Sequence, residues 1–89
     1  MSKLGRPGQA GTMESNDITI TVAPNDADGI DIELNSPVSK QYGSQIRTAI
    51  IDELNAQGVT TAKVVANDKG AIDCTIRARV RTAVARALD

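Results

Sequence analysis

Histidine is absent from this sequence of 89 residues, and so are tryptophan and phenylalanine. Without histidine the chain has no Ser-His or Cys-His nucleophile pair and no imidazole for acid-base catalysis. Most zinc sites are excluded on the same ground, because imidazole is one of the usual zinc ligands. We therefore expect no catalytic residue and no metal site, and we expect any chemistry to depend on partner proteins.

Cysteine occurs once, as Cys74, so an internal disulfide is excluded. Residues 1–7 contain no apolar run that resembles a signal peptide or a membrane span. Both absences predict a cytoplasmic protein with no membrane partner. Cys74 falls near the start of a predicted helix, where we expect a small buried core residue instead of a reactive thiol.

Aromatic side chains are nearly missing too, because Tyr42 is the single one. The core must therefore be built from Ile, Val, Leu and Ala. A chain of this length removes only about 60–65% of its unfolded surface from water, so one domain is the limit. We expect modest stability, raised by partner subunits.

The net charge of -1 excludes a one-signed field that would attract nucleic acid. Positive charge is nevertheless gathered near the C-terminal end of the sequence. Arg77, Arg79 and Arg81 flank the apolar stripe of a predicted helix, together with Arg86. They would suit cofactor phosphates or an acidic partner surface, and a solvated helix face explains them equally well.

Apolar residues alternate with polar ones over residues 17–23 and again over residues 30–35, which predicts two half-buried strands. The polar turn at residues 24–29 between them favours an antiparallel hairpin. A third short strand is predicted over residues 62–66.

Helical spacing follows the second and the third strand. The first predicted helix begins at Ser36-Pro37, or at Ser44 if Gly43 interrupts it, and ends at Gly58. The second carries an apolar residue every four positions from Ile72 to Leu88. The sequence thus predicts an α+β fold in ββαβα order, a small two-layer sandwich with a three-stranded, mainly antiparallel sheet and two helices on one face.

Residues 1–13 have the glycine and proline content of a linker, and we predict a flexible N-terminal arm before a single domain over residues 14–89. The polar cluster at residues 14–17 joins the arm to the first strand and should leave the Ser15 hydroxyl exposed. Composition alone explains this cluster as a plain turn.

Three separated blocks carry a family resemblance. Residues 10–17, AGTMESND, resemble the AGT-hydrophobe-ES-x-D motif of the acyl carrier (gamma) subunit of citrate lyase. Residues 41–47, QYGSQIR, resemble the Q-aromatic-G-x-x-I-R stretch of that family. Residues 67–74, NDKGAIDC, followed by IRAR at residues 76–79, resemble its DKGA-x-DC-x-x-RAR segment.

The resemblance implies that Ser15 carries phosphoribosyl-dephospho-coenzyme A through a phosphodiester, attached by a holo-carrier transferase. In this family the terminal thiol of that group bears an acetyl group, which the alpha subunit exchanges for a citryl group. The beta subunit then cleaves the citryl thioester to oxaloacetate and regenerates the acetyl form. The expected assembly is a hetero-oligomer in which this chain is a non-catalytic carrier.

Two alternatives remain open at this stage. The carrier subunit of malonate decarboxylase bears a similar prosthetic group on a serine, and the resemblance extends to it. A non-carrier interaction domain, whose arginine-bearing helix docks on an acidic or phosphorylated surface, would bind partners without covalent modification.

Overall fold

The computed structural model describes residues 4–88 of the chain. Within that range four strands and two helices follow one another, and neither helix is long and apolar enough to cross a membrane. Their order is β1 (Gly8–Ala10), β2 (Ile18–Ala23), β3 (Ile30–Asn35), α1 (Ser39–Ala56), β4 (Ala62–Asp68) and α2 (Asp73–Ala87). The predicted small α+β domain with two helices is confirmed.

The sheet differs from the prediction in strand number and in pairing. It has four strands in the order β1-β2-β4-β3. β2 runs antiparallel to both β1 and β4, whereas β3 runs parallel to β4. The predicted hairpin of β2 and β3 is wrong because β4 lies between them. A strand, a helix and a second strand form a crossover unit, and that connection makes β3 and β4 parallel neighbours.

The fourth strand comes from the segment predicted to be a flexible arm. β1 pairs with β2, and Leu4, which is buried, forms a bridge with Leu88. The glycine at position 8 is a packing requirement, since a Cβ there would collide with the Ala83 carbonyl oxygen of α2. The prediction of flexibility is therefore corrected for residues 4–10, and residues 1–3 of the predicted arm and Asp89 lie outside the described range.

Both helices pack on one face of the sheet and share one apolar core with it. α2 packs against β1, β2 and α1, and α1 also packs against β3. The centre of the core is formed by fully buried side chains from the strands, from both helices and from the loop after α1, namely Ile18, Ile20, Val22, Ile50, Leu54, Val59, Val64, Val80 and Val84. One face of each helix supplies these residues, and the opposite face is mainly polar and exposed.

Three predictions about the helices are corrected. α1 begins at Ser39 and not at Ser36, because the Ser36 hydroxyl accepts from the Val38 N–H in a turn before the helix and donates to Asp68. Gly43 lies inside α1 and is buried. Cys74 is exposed instead of buried, since the inward face of α2 is set by Ile76 and Val80.

Candidate functional site

Ser15 lies at the corner of a tight turn between β1 and β2. The turn comprises residues 14–17 and is closed by a hydrogen bond of 3.2 Å from the Asp17 N–H to the Glu14 carbonyl oxygen. Asn16 takes a positive φ of 67°, which asparagine tolerates better than most residues. We call residues 14–17 the serine turn. Its corner position leaves the Ser15 side chain exposed, as the sequence predicted.

The serine turn is fixed to the loop that follows β4. The Asn16 N–H donates to the Lys69 carbonyl oxygen at 2.8 Å, and the Lys69 N–H donates to the Asp17 carbonyl oxygen at 2.8 Å. These two hydrogen bonds join residues 16–17 to Lys69 just beyond the last pair of the β2–β4 ladder. The backbone that follows Ser15 is therefore held in place while the Ser15 side chain stays exposed.

Asp17 ties the base of the serine turn together. Its carboxylate accepts five hydrogen bonds, from the Thr12 N–H and hydroxyl, the Ile18 N–H and two groups of the Arg79 guanidinium. The two guanidinium bonds are both 3.0 Å long, the fork geometry of a strong arginine-carboxylate pair. Since Arg79 lies on α2, this pair anchors the turn to the helix layer.

These contacts hold the pKa of Asp17 well below its ordinary value of 3.8. The Arg79 hydrogen bonds have the largest effect, the Thr12 hydroxyl and the Ile18 N–H add to it, and desolvation opposes it. A carboxylate bound in this way favours the ionised form, because each of these groups donates to the charged carboxylate.

We predict that Asp17 makes the domain acid-sensitive. Because the pKa of Asp17 is lower in the native state than in the unfolded chain, its stabilising effect is fully present above the unfolded value and is lost as the pH falls below it. The urea midpoint of the wild type should exceed that of Asp17→Asn above about pH 5, and the gap should narrow toward about pH 3.

The exposed residue Asp26 offers a control for this titration. Asp26→Asn should leave the urea midpoint unchanged between about pH 3 and pH 7, as is usual for surface substitutions. A gap between the wild type and Asp17→Asn that stays constant with pH would show that the charge of Asp17 does not contribute.

An apolar cleft of about 540 Å³ opens beside the serine turn, between the start of α1 and the segment that joins β4 to α2. Gly70 forms part of its rim, and a Cβ at that position would lie 3.6 Å from the Asn16 side-chain oxygen. Tyr42 and Ile76 line its wall. The residue next to Ser15 thus borders directly on the rim of the cleft.

The three arginines predicted to dock a cofactor or a partner each have a carboxylate partner within the chain. Arg77 contacts Asp73 at 2.8 Å and Asp52 at 3.6 Å, and Arg81 contacts Glu53 at 3.4 Å. Arg79 is the residue that holds Asp17. Their docking role stays a prediction, and helix-to-helix and helix-to-turn contacts account for their presence without it.

Sequence reasoning missed the roles of Thr12, Asp17 and Arg79 as supports of the serine turn. Thr12 and Asp17 belong to the same sequence block as Ser15, so the block itself contains a signal for them. Arg79 lies 62 residues from Asp17 along the chain. No local pattern connects these two residues, and only the packing of α2 brings them together.

Comparisons with known proteins agree on one family. The family model described as ACP, malonate decarboxylase delta subunit, matches residues 6–87. A citrate lyase acyl carrier protein from Haemophilus influenzae (strain PittEE) is 46% identical over 98% of this chain and 90% of its own length.

Solved structures agree on the fold. A Pseudomonas malonate decarboxylase hetero-tetramer, crystallised with malonate, contains a chain that matches with a TM-score of 0.64 at 15% identity, covering 96% of this chain and 90% of that one. A protein from Thermus thermophilus matches with a TM-score of 0.53 at 9% identity, over 98% of this chain and 16% of that one.

Proposed function

This chain belongs to the acyl carrier family that the malonate decarboxylase delta subunit represents, and from that premise we propose that it carries acyl groups on Ser15 within a citrate lyase complex. Its part is that of a carrier and not of a catalyst. The 46% identity with a citrate lyase acyl carrier protein supports this choice within the family.

The observation that carries the proposal is the contrast between an exposed hydroxyl and a fixed backbone at Ser15. A modifying enzyme must reach the hydroxyl, so the residue must project from the surface. The serine turn provides this exposure, while the contacts of Asn16 and Asp17 keep its backbone in one conformation. A fixed attachment point lessens the ordering that each docking event requires.

We propose phosphoribosyl-dephospho-coenzyme A as the group attached through a phosphodiester. The residues present fit such a link, because Ser15 supplies a primary hydroxyl on an open corner and the exposed Lys69 on the adjoining loop supplies a positive charge for a phosphate. When attached, the group supplies a terminal thiol that holds the acyl group as a thioester. The protein positions the group and raises the local concentration of its far end.

The proposed partners are the alpha and beta subunits of citrate lyase and a holo-carrier transferase, all of them cytoplasmic. Each must approach the end of the sheet that bears the serine turn. Arg77 and Arg81 lie on α2 and remain proposed contacts for an acidic partner surface. Arg79 is already occupied by Asp17, so we assign it to positioning of the turn.

The intact mass of the protein purified from its own host, with peptide mapping, tests the proposal. We expect an added mass equal to phosphoribosyl-dephospho-coenzyme A on the peptide that contains Ser15. An unmodified chain from cells that express the transferase would contradict the carrier role. Unmodified protein that still bound partners would support a non-carrier interaction domain instead.

A second candidate, the carrier of a malonate decarboxylase, is favoured by the matched family model and by the fold of the Pseudomonas complex. Both candidates require the same modified serine, so mass alone does not separate them. The subunits that co-purify with the chain distinguish the two candidates. Recovery of decarboxylase subunits with the modified chain would favour this second candidate over citrate lyase.

A further inference from the structure

Tyr42 is the one aromatic residue of the chain, and it stands half exposed on the wall of the cleft beside the serine turn. The core has no aromatic side chain at all, so Tyr42 is not there to fill the interior. Ile72, at the start of α2, is also exposed, with 66% of its surface accessible. Tyr42 is thus accessible to a ligand in the cleft.

The charged residues of the cleft do not favour an anionic occupant. Among the described residues no lysine or arginine lines it, whereas Asp68 and Asp73 do. Asp68 is buried and its carboxylate already accepts from the Gly70 and Ala71 N–H groups and from the Ser36 hydroxyl. Phosphates and the carboxylates of a citryl or malonyl group would find no cationic side chain on these walls. The lining therefore favours an uncharged occupant, with a ring or chain that packs on Tyr42.

We propose that the cleft binds the adenine base of the serine-linked group, with its ring stacked on Tyr42; the inference rests on the function proposed above. Adenine is the uncharged planar part of that group, and the amide of Gln45 on the cleft wall can hydrogen-bond its edge. The nucleoside lies near the phosphodiester end, and the cleft rim borders on the neighbour of Ser15. The thiol end stays free to reach partner active sites.

Stacking of the adenine on Tyr42 shortens the mobile part of the serine-linked group. With the nucleoside held on the domain, only the pantetheine end moves between active sites. A shorter tether samples a smaller volume and so raises the effective concentration of the thioester near the serine turn. The cleft therefore acts as a second anchor after the covalent link.

Tyrosine fluorescence tests the inference directly, because Tyr42 is the only fluorophore of its kind in the chain. Modified protein is first verified by its mass on the Ser15 peptide, so failure of modification is seen separately from failure of stacking. We expect its emission to be lower than that of unmodified protein, since a base stacked on the ring quenches tyrosine emission. Equal emission from mass-verified modified and unmodified protein would overturn the inference.

Proton NMR of the adenine ring supplies the second readout. In modified wild type the adenine resonances should be shifted from those of free dephospho-coenzyme A, and in modified Tyr42→Leu they should return to the free positions. Val65→Ala is the matched control, because Val65 is an exposed apolar residue on the opposite face of the sheet, and it should leave the shift unchanged. Fluorescence that responds to acylation of the thiol, with adenine resonances at their free positions, would place the acyl end in the cleft and overturn the assignment.

Discussion

Ser15→Ala should abolish covalent modification completely while leaving the fold unchanged. The hydroxyl is the atom through which the phosphodiester forms, so its removal leaves no attachment point. Ser15 is exposed, and the positive φ of the turn belongs to Asn16, so alanine fits the backbone at position 15 without strain. We expect a free energy of unfolding within about 0.5 kcal/mol of the wild type. Intact mass after coexpression with the transferase measures the first effect and urea unfolding the second.

Ser44→Ala is the matched control for this prediction. Ser44 is also exposed, but it lies on α1, away from the serine turn. Its variant should gain the full added mass at the wild-type rate. A Ser15→Ala protein that still gained the mass, or a Ser44→Ala protein that did not, would show that the attachment site is wrongly assigned.

The sequence alone correctly predicted the strands and helices whose apolar residues recur at a regular spacing, because that spacing indicates which side chains are buried. Ile18, Ile20 and Val22 alternate with polar residues and all three are fully buried. Strand partners could not be read in the same way, because alternation is identical in a hairpin and in a crossover unit. The helix between β3 and β4 is itself the relevant signal, because a strand-helix-strand crossover is the usual connection between parallel neighbours.

The role of several glycines could not be predicted from the sequence either. The same residue type serves flexible linkers and places where two backbones approach closely, and local sequence does not separate these uses. Gly8 allows α2 to approach β1, and Gly11 allows the chain to pass Ile18. Such contacts join segments that are far apart in sequence or lie on opposite sides of a loop. They form only when the helices pack on the sheet, so the local sequence does not predict them.

The candidate site was predictable in part. Exposure of Ser15 followed from its polar neighbours, and its proposed role followed from the family resemblance. The anchoring of the turn by Arg79 was not predictable, since the arginine-rich stretch on α2 has no local feature that distinguishes Arg79 from Arg77 or Arg81. The cleft beside the turn was equally hidden, because it is formed by α1 and the segment before α2.

Gly11→Ala should cause a large loss of stability. Gly11 has a φ of 98°, a backbone conformation that residues other than glycine rarely adopt. A Cβ at this position would overlap the Ile18 carbonyl oxygen and lie 2.9 Å from the Ile18 carbonyl carbon. Both atoms are backbone of β2, so they can move only if the strand moves, and the strand is paired on both sides.

Gly29→Ala separates the two causes of this loss. Gly29 has nearly the same φ, 99°, but no atom lies within 4 Å of its Cβ position. We expect Gly29→Ala to cost about 1–2 kcal/mol from backbone strain, and Gly11→Ala to cost about 4 kcal/mol or more because the clash adds to that strain. A domain of this size has a total stability of about 4–13 kcal/mol, so Gly11→Ala should remove a large share of it. Equal urea midpoints for the two variants would show that β2 shifts freely and that the clash contributes nothing.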